Sequence, residues 1–127
     1  MPSQSQWDNM ERRRYVRIEK HFIITYYDKN DPQVKRNVSQ LKNISLGGIC
    51  FVTSEQYTPK TEMGFELKTP YVADAVYIEG VILESREKIP NMIYETRLSF
   101  NNVSPEAQLI LNKVIDTFAK LSREKNT

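Results

Sequence analysis

Between positions 92 and 100 the side chains alternate with a period of two. Met92, Tyr94, Thr96, Leu98 and Phe100 fall on one side, and Glu95, Arg97 and Ser99 on the other. Successive side chains of a strand point to opposite faces, so this pattern specifies a strand with one buried face. The first set is expected inward and the second outward. Five further stretches read as strands. Residues 17–27 place Ile18, Phe22, Ile24 and Tyr26 on one face, with Lys20 the exception, and Glu19, His21, Ile23, Thr25 and Tyr27 on the other. Residues 34–44 follow the turn Asp28-Lys29-Asn30-Asp31-Pro32. Residues 49–53 and 64–68 are short strands. Residues 76–87 set Val76, Ile78 and Ile82 against Tyr77, Val81 and Leu83, with Gly80 a candidate bulge.

After position 100 the period changes. Ser104 is a good N-cap and Pro105 suits the first helical position. Ala107, Leu111, Val114, Ile115, Phe118 and Leu121 then recur at helical spacing, which predicts an amphipathic helix over 105–123 packed on the strands. The expected fold is mostly β: a small six-stranded antiparallel barrel with a C-terminal helix. Residues 1–10 read as a polar, flexible lead-in carrying one bulky side chain, Trp7. Residues 11–123 form a single domain, with the barrel over about 17–100.

At 127 residues and net charge +2 the chain fits one soluble domain and lacks the strong basic excess of a general nucleic-acid binder. The single cysteine, Cys50, excludes an internal disulfide and fits a reducing cytoplasm. In its strand it is expected to be a small core residue. No apolar run approaches the roughly 20 residues of a membrane span, and the first residues lack the apolar segment of a signal peptide. His21 has no Cys, Asp or His beside it at metal-ligand spacing. There is no P-loop, dinucleotide fingerprint, HExxH or nucleophile elbow. An enzyme is not expected, nor a metal or cofactor.

Two motifs carry the functional reading. Arg12-Arg13-Arg14-Tyr15-Val16-Arg17 places four arginines in six residues. Asn43-Ile44-Ser45-Leu46-Gly47-Gly48 reads as a strand end followed by a tight turn. Asn43 and Ser45, two apart, are expected on one face, while Gly47 and Gly48 permit positive φ and close approach to the backbone. The ordered pair Arg13-x-x-x-Arg17 and Asn43-x-Ser45-x-x-Gly48 resembles the two signature motifs of the PilZ domain, over roughly 11–100. That family is a bacterial receptor module for the second messenger cyclic di-GMP. The resemblance implies a six-stranded barrel with a C-terminal helix. Family members often carry a glycine in the last strand where this chain has Arg97.

The residue types suit such a ligand. Arginine can grip the N7 and O6 of guanine with two hydrogen bonds, clamp a phosphate, or stack on a base. Arg13 and Arg17 lie about 13 Å apart if extended, at roughly 3.3 Å per residue, or about 6 Å on a helical turn. Asn43 and Ser45 can accept from the guanine N1–H and amino group. The resemblance implies that Arg13 and Arg17 hold phosphate and guanine, that Asn43 and Ser45 read a guanine edge, and that Gly48 shapes the turn. An arginine at position 12 accompanies, by the same resemblance, an intercalated cyclic di-GMP dimer, so two ligands per chain are expected. Arg14 is expected to be a solvated charge. The chain then reads as a cytoplasmic receptor whose arginine segment orders over the barrel on binding and whose signal passes to a partner protein. The alternatives are a PilZ-like adaptor that binds no nucleotide and a barrel that binds single-stranded nucleic acid. The low net charge and the lack of an outer aromatic row argue against the last.

Overall fold

The computed structural model describes residues 15–17, 22–70 and 74–126. Among the described residues eight strands and one helix follow in order: β1 (Val16–Arg17), β2 (Ile23–Asp28), β3 (Arg36–Val38), β4 (Gln40–Ile44), β5 (Gly48–Thr53), β6 (Glu62–Lys68), β7 (Val76–Ile89), β8 (Ile93–Asn102) and α1 (Pro105–Asn126). All pairings are antiparallel, in the order β1-β4-β5-β8-β7-β6-β2-β3. The sheet curls so that β3, at one end, touches β5. The mostly-β class with a C-terminal helix is as expected; the described residues form eight strands rather than six. Residues 34–44 do not make one strand. They divide at Ser39 because the first part pairs with β2 and the second with β1 and β5. Likewise, 17–27 contributes β1 and β2, while Ile18, Glu19, Lys20 and His21 lie outside the described residues.

Alternation fills the interior. Ile24, Tyr26, Leu41, Phe51, Met63, Phe65, Ile78, Ile82 and Leu98 are all buried. The Tyr26 and Phe51 rings meet edge to face at 4.9 Å, and Phe65 stands between Phe51 and Phe100 at 6.1 and 6.0 Å. Such pairs add to what area burial alone contributes. Thr96 is polar yet fully buried. Its hydroxyl lies 2.8 Å from that of Thr53 and 2.7 Å from that of Ser85, so it is satisfied. Ser104 caps α1 as expected, accepting from the Ala107 N–H at 3.1 Å. Ala107, Ile110, Leu111 and Val114 press the helix onto the barrel.

Three departures from strict alternation matter. Leu41 faces Phe51 but Asn43 faces Cys50, which leaves Lys42 as an extra residue in β4. Ile82 faces Leu98 but Glu84 faces Arg97, which leaves Leu83 extra in β7. Each bulge puts two consecutive side chains on the outer face. The register also shifts at Gly80, where a bulge was expected, with the extra residue, Asn101, on β8. Met92, expected inward, is instead 40% exposed in the β7–β8 turn. It is held there by its own N–H to the Ile89 carbonyl at 3.0 Å.

Candidate functional site

The β4–β5 turn is closed by the Ser45 N–H, which donates to the Gly48 carbonyl at 2.9 Å. The Gly47 N–H donates to Ser45 Oγ at 3.1 Å. The side chain of Ser45 therefore shapes the turn while its own hydroxyl proton remains able to donate elsewhere. Ile44 is buried between Asn43 and Ser45, and both polar neighbours face outward, as the spacing predicts.

The glycines behave differently from expectation. Neither has a positive φ. Gly48 is needed for a steric reason within the fold: a Cβ there would lie 2.2 Å from the Leu98 carbonyl oxygen. The close approach at Gly48 is that of strand β8. At Gly47 the nearest such atom is Ser45 Oγ at 3.7 Å, an ordinary contact.

Asn43, Ser45, Gly47 and Gly48 line one side of a groove of about 220 Å³; Leu83, Arg97 and Ser99 line the other. Register explains the gathering. Asn43 faces Cys50, Cys50 faces Arg97, and Arg97 faces Glu84, a row across four strands on the outer surface. The bulge at Lys42 brings Asn43 into that row, and the bulge at Leu83 brings Glu84 into it. Arg97 is 56% exposed in its side chain, with Nη1 3.5 Å from Glu84 Oε1. Its guanidinium is thus held loosely at the mouth of the groove. Sequence reasoning assigned it no role, because its link to Asn43 arises only from strand order.

Beside this row stands a buried carboxylate. Glu95 points outward, as expected, yet it is only 4% exposed. Tyr15 Oη donates to its Oε2 at 2.7 Å and Lys42 Nζ to its Oε1 at 2.9 Å. Lys88 Nζ lies 3.5 Å from Oε2. Burial alone would raise this carboxyl, but the hydrogen bonds from Tyr15 and Lys42 and the lysine charges outweigh it and hold it down at about 2. Cys50 Sγ is 3.8 Å from Glu95 Oε1. Burial, then the Glu95 charge, pushes the thiol up to about 11. Cys50 is therefore buried beneath the outer-face cluster rather than in the main core.

A larger cavity, about 540 Å³, opens at the start of α1 between Asp74, Tyr77, Asn102, Ser104 and Glu106. Its two carboxylates make it a poor place for a phosphate ligand. Among the described residues no group of His, Cys, Asp or Glu is arranged to hold a metal, and no helix is long and apolar enough to cross a membrane.

Of the expected site residues, Asn43, Ser45 and Gly48 share the groove. Arg17 lies in β1, exposed and opposite Gln40. Arg12 and Arg13 lie outside the described residues, as do Trp7 and Arg14.

The model of the PilZ domain matches residues 11–116. The chain belongs to the PilZ family. Two solved structures share its fold. The PilZ domain with c-di-GMP of YcgR from Escherichia coli is 16% identical, with a TM-score of 0.58 over 89% of this chain and 95% of that one. The Bacillus subtilis inhibitor of motility, MotI/DgrA, is 16% identical with a TM-score of 0.54 over 89% of this chain. The chain spans about half the length of that protein, 51%. No curated protein matches the sequence. The resemblance seen in the two motifs is thus borne out at the level of family and fold.

Proposed function

We propose that this PilZ domain is a bacterial, cytoplasmic cyclic di-GMP receptor without catalytic activity. The observation that carries the reading is the groove in which Asn43, Ser45 and Gly48 meet Arg97. Asn43 and Ser45 offer acceptors and donors to a guanine edge. Arg97 adds a guanidinium whose one carboxylate partner among the described residues, Glu84, is 3.5 Å away, a loose hold that lets it turn toward a base or phosphate. The groove is too small for a whole cyclic dinucleotide. The rest of the grip comes from Arg12, Arg13 and Arg17, which close over the ligand from the N-terminal side. The structural likeness to a PilZ domain holding c-di-GMP supports the same ligand.

Arg12 stacks on or bonds to a second cyclic di-GMP, so the ligand binds as an intercalated pair, two per chain. The ordered segment then changes the surface that a partner protein reads. The likeness to an inhibitor of motility supports an output of this protein-contact kind.

Calorimetric titration with cyclic di-GMP, with the linear dinucleotide and GTP as controls, tests the reading. Selective uptake of the cyclic form is expected. No heat with any of the three would leave only the nucleotide-free adaptor.

A further inference from the structure

The residue that buries Glu95 comes from the far end of the chain. Tyr15 and Glu95 are 80 positions apart, and their side chains share a 2.7 Å hydrogen bond. The next outward residue of β8, Arg97, is largely exposed, whereas Glu95 is covered and Tyr15 itself is only 2% exposed. An uncompensated buried carboxylate is costly. This one is compensated from two sides: by Tyr15, next to the arginine motif, and by Lys42, next to Asn43. Val16, beside Tyr15, is buried the other way and faces Leu41 in register. The segment 15–17 is thereby fixed on both faces.

Tyr15 directly follows Arg12-Arg13-Arg14. A residue spans at most about 3.6 Å, so the Arg13 backbone stays within about 7 Å of that of Tyr15 in any conformation. Holding Tyr15 therefore sets where the arginines can meet the groove. We infer that Glu95 is a positioning residue for nucleotide binding: through Tyr15 it anchors the arginine segment, and through the bulge residue Lys42 it ties that anchor to Asn43. It touches no ligand. Its contribution is preorganisation, which lowers the ordering cost of binding. This inference rests on the cyclic di-GMP reading above.

The test uses the full chain. Tyr15→Phe removes one hydroxyl and leaves Glu95 paired with Lys42 and Lys88. In calorimetric titration its affinity for cyclic di-GMP should fall about three- to tenfold, the range of a lost hydrogen bond to a charged group after partial compensation by water. The number of ligands bound should match wild type; because the hydrogen bond is already present without ligand, the melting temperature should fall by about a few degrees while the protein stays folded at room temperature. Glu95→Gln should act in the same direction; it also lowers stability, so both variants are titrated at a temperature where their melting curves show them fully folded. A second readout needs no nucleotide. Tyr15 holds Glu95, whose Oε1 lies 3.8 Å from Cys50 Sγ, so if Tyr15→Phe loosens Glu95 a small neutral thiol reagent should label Cys50 faster than in wild type. A merely structural role would lower the melting temperature and leave the affinity of the folded protein unchanged. If wild type binds and both variants bind equally well, the anchor is wrong and the receptor reading stands. If wild type takes up no cyclic di-GMP, the receptor reading fails and the anchor's role in binding fails with it.

Discussion

The backbone of Gly48 lies so close to the Leu98 carbonyl that a Cβ at position 48 would sit 2.2 Å from its oxygen. The contact is backbone to backbone, and no side-chain rotation relieves it. Gly48→Ala should therefore destabilise the fold by about 1–3 kcal/mol, the usual cost of overpacking, and Gly48→Val by more. Urea denaturation measures this directly. An alanine variant with a wild-type midpoint would mean that β5 and β8 can separate without cost. Loss of binding in a Gly48 variant thus reports on the fold before it reports on the ligand.

Arg17→Ala and Ser45→Ala should both weaken cyclic di-GMP binding, but unequally. Arg17 is exposed on a short edge strand, and its loss removes a charge-assisted contact of about 1.5–3 kcal/mol, tenfold to over a hundredfold. Ser45 offers a neutral contact of about 0.5–1.5 kcal/mol. The Ser45 variant also loses the acceptor for the Gly47 N–H. Titration of both variants against wild type ranks them. A serine effect larger than the arginine effect would contradict the charge-based account.

Arg12→Leu should halve the stoichiometry. Wild type is expected to take up two cyclic di-GMP molecules per chain and the variant one. The endpoint of a titration at concentrations well above the dissociation constant reads this number without needing the affinity. One ligand in both proteins would leave Arg12 a solvated charge.

Glu95 makes stability depend on acid. Folded, its carboxyl titrates near 2; unfolded, it returns to the ordinary value of about 4.3. Between those values the unfolded chain binds more protons than the native one. The contribution of Glu95 is therefore complete above about pH 4.5 and lost as pH falls toward 2. Urea midpoints of wild type and Glu95→Gln at pH 7, 4 and 2.5 should converge as the solution becomes more acidic. A gap of constant size across that range would show that the carboxylate charge is not what matters.

Much of this fold could be read from local pattern. The alternation of β8 and the helical spacing of α1 each express a burial preference within one element, so composition along the chain reveals them. Of the two motifs, Asn43 to Gly48 was legible as the strand end and turn between β4 and β5, whereas Arg12, Arg13 and Arg14 lie outside the described residues. What could not be read were events between strands. The bulges at Lys42 and Leu83 exist only as a mismatch with β5 and β8, and nothing in either stretch marks the extra residue. The burial of Glu95 depends on a tyrosine 80 positions away, and alternation correctly gave its direction but not its cover. Arg97 enters the groove because β8 lies beside β5, a fact of strand order. Two causes were read for glycine at position 48, a positive φ and room for a close approach; the φ is not positive, and the approach is that of β8.

The extra residue in β4 gives the groove a dependence on arithmetic as well as on chemistry. Leu41 and Ile44 are both buried although three positions apart, which is possible only because Lys42 is one too many for the ladder. Remove Lys42, and Leu41 and Ile44 stand two apart, so an unbroken ladder keeps both inward and leaves the pairing with β5 in place. What disappears is one of two adjacent outward positions. Remove instead one residue from β5, which pairs with β8 without a bulge, and every side chain on one side of the cut changes faces. The bulge is a spare letter: the strand can lose it and still be read on the right side.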